Sequence, residues 1–156
     1  MSENEPDTAT VDRRTVHPNA AVEIVHNFWA EVWQHPHNPD AIDDLVTEDF
    51  VITSGGTEIR GREQFKAWVH SFHDAIGDIE LVPIESFQSA DGSRVTSRWE
   101  LTGFNRGYAG TEADGRPVHM TGTAVWAVLP DGRLTHNWVE RNALEVYLRL
   151  NGPTAS

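Results

Sequence analysis

One stretch near the C-terminal end of the chain has the residue types and spacing that acid–base chemistry requires. Residues 134–142 read LTHNWVERN, and successive side chains of a β-strand point to opposite faces of the sheet. One face therefore carries His136, Trp138, Glu140 and Asn142. A carboxylate beside a tryptophan on a buried face is costly unless it is paired or functional. Glu140 is thus the first candidate for a general acid or base, and a buried salt bridge to Arg141 or another arginine is the alternative.

An earlier strand-like segment offers a second carboxylate, Glu100, two residues after Arg98. One carboxylate could activate water or remove a proton while the other protonates an oxygen, with Arg98 holding the two in different protonation states. The alternative is an exposed charged row, because Arg98 and Glu100 alternate with the apolar residues Val95, Trp99 and Leu101. Strand alternation favours that alternative, and the catalytic interpretation stays open beside it.

The histidines add one proton carrier and two pairs with metal-ligand spacing. Histidine titrates near neutral pH, so His119 could carry protons one strand before Glu140, although its alternation with apolar neighbours favours the solvent face. His35 and His37 lie in a Pro-rich segment, and the second pair, His70 and His73, lies three residues apart on a predicted helix. Neither pair has a third ligand at motif spacing, so we expect no metal site.

Aromatic and polar side chains on inward faces predict a pocket with apolar walls. Core packing is the alternative for most of the aromatic residues, and the segment 105–116 could form a rim or lid. An aromatic pocket with few polar groups suits a polycyclic or terpenoid ligand better than a sugar or a nucleotide. The candidate substrate-binding residues are Trp33, Phe50, Trp68, Trp99, Asn105, Tyr108, Met120, Trp126, Trp138 and Asn142.

Composition and length limit the functions that these residues could serve. The 156 residues carry 24 acidic and 12 basic side chains, a net charge of −12, which argues against nucleic acid partners. The absence of cysteine excludes disulfides, thiolate catalysis and iron–sulfur clusters. No phosphate-binding glycine loop or nucleophile elbow is present, and we expect no cofactor. No apolar run has the length of a membrane span and no signal peptide is evident, so we expect a soluble, cytoplasmic protein without a membrane partner.

The periodicity of apolar residues predicts helices first and a long antiparallel sheet afterwards. We expect a disordered tail over residues 1–17 and a single domain over 18–152. Three helices are predicted, one from Pro18 to about Trp33, a short one from Asp40, and one over Glu63–Ile76. The expected strands are Phe50–Ser54, Thr57–Arg60, Ile79–Gln88, Arg94–Phe104, Pro117–Leu129 and Leu134–Asn142, followed by a last apolar segment over Ala143–Leu150. This order is typical of an α+β architecture in which the helices cover one face of the sheet.

Several segments together resemble the SnoaL-like polyketide cyclase family of the nuclear transport factor 2-like fold. They read FWAEVW, NPDAIDDLVTEDFV, GREQFKAWV, RVTSRWELTG, DGRLTHNW and LRLNG, and the resemblance extends from about Ala20 to Gly152. It implies a cone in which a curved antiparallel sheet is covered by three N-terminal helices, with a deep apolar pocket between sheet and helices. It also implies a homodimer, since many members dimerise through the sheet.

The chain departs from the residues that such proteins use for catalysis. Relatives often carry Asp four residues after the tryptophan of the last strand, where this chain has Asn142. Members similar to limonene epoxide hydrolase carry Trp-x-Asp and Arg-x-Asp, which Trp138-Val139-Glu140 and Arg98-Trp99-Glu100 resemble with Glu for Asp. Cyclase-like relatives often carry Gly-x-His where this chain has Gly103-Phe104-Asn105. An asparagine there could orient a carbonyl group but could not shuttle a proton.

Two functions follow from the residues and the resemblance together. The first is a cofactor-independent enzyme of secondary metabolism, a cyclase, isomerase or epoxide-opening hydrolase that acts on an apolar oxygenated substrate such as a polyketide or terpenoid. In that hypothesis Glu140 is the general acid/base, and Asn105, Asn142 and His119 orient oxygens. The second is a non-catalytic ligand-binding or dimerisation module, which the missing aspartate and histidine favour. An open pocket with a carboxylate at its floor would support the enzyme.

Overall fold

The computed structural model describes residues 11–153, which contain four α-helices, two short 3-10 helices and six strands. The helices are α1 (Ala20–Trp33), α2 (Ile42–Leu45), α3 (Arg62–Ala75) and α4 (Ala143–Asn151), and the 3-10 turns are Pro39–Ala41 and Tyr108–Gly110. The strands are β1 (Val46–Ser54), β2 (Thr57–Arg60), β3 (Ile76–Gln88), β4 (Arg94–Asn105), β5 (Pro117–Val128) and β6 (Leu134–Arg141). The predicted α+β class and the order of elements are confirmed.

The six strands form one curved sheet in the order β2-β1-β6-β5-β4-β3. Strands β3 to β6 form the predicted antiparallel meander. Short turns join β3 to β4 and β5 to β6, and the longer segment 106–116 joins β4 to β5. The β1–β6 pair is parallel, so the sheet is mixed rather than wholly antiparallel. Parallel partners need a long connection, and here α3 and the meander together provide it.

The helices cover the concave face of this sheet, as their apolar stripes require. The stripe of α1 is fully buried at Val25, Phe28 and Val32, and this helix packs against β3. The buried side of α3, at Phe65 and Val69, packs against β1. The apolar segment expected at the C-terminal end forms an additional helix, α4, which packs against β5. Helices and sheet therefore enclose one core.

An aromatic cluster fills the centre of that core. The ring centroids of Phe28 and Trp126 lie 4.9 Å apart, and those of Phe50 and Phe65 lie 4.5 Å apart. Trp126 is on β5, so the cluster ties both long helices to the middle of the sheet. Offset and tilted ring pairs of this kind stabilise a core beyond the area that they bury.

The predicted disordered tail falls partly outside the described residues, which begin at residue 11. Residues 11–17 lie against the turns of the meander. The backbone N–H of Arg13 donates to the carbonyl of Pro130 over 2.9 Å, and the side chain of Gln88 donates to the carbonyl of Arg14 over 3.3 Å. A guanidinium nitrogen of Arg14 also donates to the carbonyl of Val128 over 3.2 Å. Polar backbone groups of the turns thus give Arg13 and Arg14 hydrogen-bond partners. The disordered tail over residues 1–17 stays a prediction.

The helices of residues 11–153 include none that is both long enough and apolar enough to cross a membrane. The homodimer that the resemblance implies stays a prediction.

Candidate active site

A small cavity lies between the two long helices and the concave face of the sheet. Its volume is about 40 Å³, and a water molecule needs about 10–15 Å³ on this measure, so about three waters would fill it. Thirteen of the fifteen lining residues are apolar or aromatic; Asn137 and Arg141 are the others. The lining is formed by Trp29, Trp33, Ile52, Phe65, Trp68, Phe72, Leu81, Trp99, Leu101, Met120, Ala124, Trp126, Asn137, Val139 and Arg141.

The cavity opens where its lining is partly exposed, at Trp68, Phe72 and Arg141. The guanidinium carbon of Arg141 lies 4.8 Å from the ring centroid of Phe72 and 5.9 Å from that of Trp68. At these distances the charge is attracted to the faces of both rings. An arginine framed by two aromatic side chains of α3 therefore forms the mouth of the cavity.

Only neutral groups bond to this arginine among the described residues. Arg141 donates from Nη1 to the hydroxyl of Tyr108 over 2.9 Å and from Nε to the hydroxyl of Ser54 over 3.3 Å. No carboxylate of residues 11–153 forms an ion pair with it. A half-buried cation without a counter-charge is costly, and an anionic group at the mouth would offset that cost.

Two residues of the cavity lining each carry a buried polar atom that has no hydrogen-bond partner within residues 11–153. These atoms are Oδ1 of Asn137, a residue that is 6% exposed, and Nε1 of Trp126, a residue that is 1% exposed. The two residues are directly opposite each other on β6 and β5. An unpaired buried polar atom costs about 1–3 kcal/mol. A ligand with a carbonyl or hydroxyl oxygen could satisfy the indole N–H, and a hydroxyl could also donate to the amide oxygen.

The register of β6 determines which side chains enter the cavity. Asn137, Val139 and Arg141 point inward, and the cross-strand pairing places Gly122 of β5 opposite Arg141. On its other side Gly122 is paired with Trp99 of β4. A Cβ atom at this glycine would lie 2.2 Å from Cζ2 of Trp99, so only glycine lets the indole ring lie flat across the strand.

The phase expected for β6 is therefore wrong by one residue. His136, Trp138 and Glu140 point to the outer face of the sheet, where Glu140 is exposed and Trp138 is 38% exposed. Trp138 stacks on His136 with ring centroids 3.7 Å apart. On the outer face of the sheet, each ring therefore shields part of the other ring from water. The alternative salt bridge between Glu140 and Arg141 does not form within residues 11–153, since neighbouring residues of a strand point to opposite faces.

The other proposed acid–base residues also lie on the outer face. Arg98 is exposed and donates to Glu85 over 2.6 Å, which agrees with the charged-row alternative. Glu100 is exposed, and its nearest histidine, the exposed His119, is 3.9 Å away. With Glu140 and Asn142, Arg98 and Glu100 border a shallow groove on the outside of the sheet. None of them lines the cavity, because the apolar residues of β4 and β5 occupy the inward positions.

The remaining candidates divide between the cavity wall and structural roles. Trp33, Trp68, Trp99, Met120 and Trp126 line the cavity, as expected of pocket residues. Phe50 is fully buried in the aromatic cluster and does not reach the cavity.

The asparagines Asn105 and Asn142 were expected to orient substrate oxygens, and both bond to the protein instead. Asn105 is 1% exposed and holds the 105–116 loop, accepting from the backbone N–H of Gly107 and Tyr108 over 3.0 and 2.9 Å. Asn142 accepts from the backbone N–H of Thr121 over 2.9 Å at the end of β6. Tyr108 belongs to the loop that Asn105 organises and reaches the site through Arg141.

Sequence reasoning missed Asn137 and Arg141, the two polar residues of the cavity. The signal that could have found them is the opposite phase of the same alternation, in which Asn137, Val139 and Arg141 share a face.

One histidine lies behind the cavity wall. The ring of His73 on α3 stacks on Trp33 with centroids 5.2 Å apart, and Nε2 donates to the carbonyl of Val32 over 3.1 Å. Burial lowers the pKa of His73, because the charged imidazole loses its hydration there. The same cause lowers the pKa of His26 and of His136, which lie away from the cavity. The cavity lining within residues 11–153 thus contains neither a carboxylate nor an imidazole.

Comparison with known proteins places the chain in a family. A family model described as a SnoaL-like domain matches residues 25–137. No curated protein matches the chain significantly.

Similar solved structures share the architecture over most of the chain. A candidate SnoaL-like polyketide cyclase from Jannaschia sp. CCS1 has 19% identity and a TM-score of 0.76, covering 98% of this chain and 99% of its own. AclR, a candidate hydroxylase from Streptomyces galilaeus, has 17% identity and a TM-score of 0.75, covering 90% and 86%. SalBIII, an epoxide hydrolase/cyclase-like enzyme with a role in pyran ring formation in the polyether salinomycin, has 20% identity and a TM-score of 0.67, covering 78% and 90%. At these identities the likeness shows the fold, and it confirms the expected nuclear transport factor 2-like cone.

Proposed function

Because the chain belongs to the SnoaL-like family, we propose that its cone binds a small, largely apolar compound that carries an anionic oxygen, and that the protein acts on this compound as a cofactor-independent enzyme of secondary metabolism. The observation that carries the proposal is Arg141, a half-buried cation at the mouth of an apolar cavity with neutral partners only among the described residues. The enzymatic part is supported by relatives of the same fold, among them SalBIII and the candidate cyclase from Jannaschia.

The chemistry proposed for the site is electrostatic stabilisation of a developing oxyanion. A fixed guanidinium in a water-poor cavity stabilises an enolate or alkoxide more strongly than it stabilises a neutral carbonyl. The proton that leaves carbon when an enolate forms would pass to water or hydroxide at the open mouth, because the described lining has no carboxylate or imidazole. The hydroxyl of Tyr108, which accepts a hydrogen bond from Arg141, is the neighbouring group that can donate a proton to such an oxygen. Deeper in the lining, the indole N–H of Trp126 would donate to a second oxygen of the ligand, and Oδ1 of Asn137 would accept from it where that oxygen is a hydroxyl. This assignment replaces Glu140 as the centre of the mechanism.

The size of the cavity restricts how a ligand enters. Drug-sized ligands occupy pockets of about 300–1,000 Å³, and the present cavity has about 40 Å³. A compound with an aromatic ring therefore fits only if side chains at the mouth move outward. Trp68 and Phe72 are partly exposed, so they can move at lower cost than the buried walls.

A second function, a non-catalytic binding module, is favoured by the absence of carboxylate and imidazole groups from the described cavity lining. The two functions share the ligand site and differ in proton transfer. Exchange of α-protons for deuterium, followed by NMR, distinguishes them directly.

A suitable probe is 4-oxo-4-phenylbutanoate, which joins an aromatic ring, a ketone and a carboxylate. The enzyme proposal expects the wild-type protein to accelerate the exchange of its α-protons, and Arg141→Gln to lose about 10²–10³-fold of that acceleration. Arg98→Gln is the matched control, because that arginine lies on the outer face and pairs with Glu85. Exchange at the uncatalysed rate in the presence of saturating protein would leave the binding module as the better account.

A further inference from the structure

A cluster of two histidines and two carboxylates lies outside the cavity, at the end of α1. It joins the loop that follows this helix, with His35 and His37, to the start of β3, with Asp78 and Glu80. We propose that His35, His37 and Glu80 form a binding site for a divalent transition metal of the zinc class. The proposal does not depend on the proposed function, because none of the three residues lines the cavity.

The donor atoms already lie close together. One ring nitrogen from each of the two histidines and one carboxylate oxygen of Glu80 are all within 4.8 Å of one another. Nε2 of His35 is 3.4 Å from Oε1 of Glu80 and 2.9 Å from Oδ1 of Asp78. Two imidazoles and one carboxylate are a ligand set that zinc uses in proteins, with a fourth position left for water. Asp78 can take that position or hold the ring of His35.

The hydrogen bond of His37 prepares this residue as a ligand. Its Nε2 donates to the backbone carbonyl of Ile79, so Nε2 carries the proton and Nδ1 keeps a free lone pair. Metal-ligating histidines commonly have this arrangement, in which the second ring nitrogen is fixed by a carbonyl or carboxylate. The ring is thus held in a tautomer that can bind a metal.

The backbone at the cluster is also unusual. His37 has φ of 54° and Asp78 has φ of 58°, which are left-handed conformations that residues other than glycine rarely adopt. Such conformations cost about 1–3 kcal/mol each and are concentrated at functional sites. Here they bring two separate segments of the chain together at the same point. A bound metal would offset this cost by linking the loop after α1 to the start of β3.

Spacing in the sequence could not have completed this ligand set. The pair His35-x-His37 lacks a neighbouring third ligand, and Glu80 is supplied by a strand that follows the whole of α3. The proposed site therefore reverses the expectation from the sequence that the chain has no metal site.

The test is a titration of the full-length, untagged protein with Zn²⁺, followed by calorimetry, and with Co²⁺, followed by visible absorption. We expect saturable binding of one ion per chain, with Co²⁺ bands that show nitrogen and oxygen ligands. Glu80→Gln and His37→Asn should each weaken binding by at least about tenfold. Asparagine is chosen at residue 37 because it tolerates a left-handed backbone.

Glu100→Gln is the control for Glu80→Gln. Glu100 lies 3.9 Å from a nitrogen of His119, but no second imidazole of the described residues completes a ligand set with it. This control should bind Zn²⁺ as the wild-type protein does. The proposal is overturned if the wild-type protein shows no saturable one-to-one binding. It is also overturned if both variants at the cluster retain wild-type affinity.

Discussion

At the scale of single residues, the two buried asparagines of this fold have opposite environments. Asn105 uses both ends of its amide group to hold the 105–116 loop. Asn137 lines the cavity, and its amide oxygen has no partner in the described part of the chain. An unsatisfied buried polar group destabilises a protein, and such groups are retained where function requires them. The contrast supports a place for Asn137 in the proposed ligand site and a structural role for Asn105.

Matched substitutions of these asparagines should change stability in opposite directions. Asn137→Val removes an unpaired oxygen, so we expect the free energy of unfolding to rise by about 1 kcal/mol while ligand affinity falls. Asn105→Val leaves backbone N–H groups of the loop unpaired and should lower it by at least about 2 kcal/mol. Urea denaturation measures both. A loss of stability in Asn137→Val equal to that in Asn105→Val would show that Asn137 is a structural residue.

Three partly buried histidines should make stability depend on pH. The folded-state pKa values of His26, His73 and His136 lie below the ordinary value of 6.5 because of burial. Below pH 6.5 the unfolded chain therefore binds more protons than the folded chain, and the free energy of unfolding falls as the pH decreases. The carboxyl group of Asp91, whose pKa hydrogen bonds from Ser93 lower to about 2, remains charged in this range and does not contribute.

Urea denaturation at pH 7.5 and pH 5.5 checks this dependence. We expect the wild-type protein to be less stable at pH 5.5, and His73→Gln to show a smaller difference between the two values. The groups that face His73, namely His37, His70 and Asp74, are unchanged in that variant. His119→Gln, at an exposed position, should keep the full difference. Equal stability of the wild-type protein at both pH values would contradict the account.

At the scale of elements, the cavity depends on three neighbouring strands that bring Trp99, Gly122 and Arg141 into one cross-strand row. The glycine in the middle provides the space that the indole of Trp99 occupies, since a Cβ atom there would also lie 2.8 Å from the backbone oxygen of Glu140. The wall of the cavity and the position of the arginine at its mouth are therefore linked through a single residue of β5.

Gly122→Ala should disturb both the cavity wall at Trp99 and the position of Arg141. The added methyl group has no free space, so we expect a loss of about 1–3 kcal/mol in the free energy of unfolding. A change in tryptophan fluorescence should accompany it as Trp99 moves. Thr123→Ala, at the exposed neighbouring position on the same strand, is the control and should change neither quantity. An unchanged fluorescence spectrum in Gly122→Ala would mean that the ring of Trp99 does not depend on this glycine.

The strands also show how far sequence reasoning extends for this chain. In β4 the apolar residues Val95, Trp99 and Leu101 share one phase, so the inward face could be predicted and is observed. In β6 both phases mix polar and apolar side chains, and a tryptophan occupies the outward one, so hydrophobicity does not select a face. The register is instead set by β5 and by the parallel pairing with β1, which brings together residues far apart in sequence. The class of fold was therefore predictable, and the identity of the polar cavity residues was not.

At the scale of the whole molecule, the acidic surface and the cation at the mouth of the cavity have opposite effects on an anionic ligand. The protein carries a net charge of −12, which repels an anion at long range, and salt at about 0.15 M screens that repulsion beyond about 8 Å. At the mouth of the cavity the nearest charge is that of Arg141, and the partly buried position of this side chain makes screening less effective. At moderate salt the cone should therefore prefer an anionic ligand over its neutral analogue despite the acidic surface.

The affinities of 4-oxo-4-phenylbutanoate and of its methyl ester, measured by tryptophan fluorescence at about 0.15 M salt, test this preference most directly. A hydrogen bond to a charged group contributes about 1.5–3 kcal/mol, so the wild-type protein should bind the acid about 10- to 100-fold more tightly than the ester. In Arg141→Gln this ratio should fall to about one, and in Arg98→Gln it should be unchanged. Equal affinity of the wild-type protein for acid and ester, or a preference that survives in Arg141→Gln, would contradict the central claim that Arg141 selects an anionic ligand.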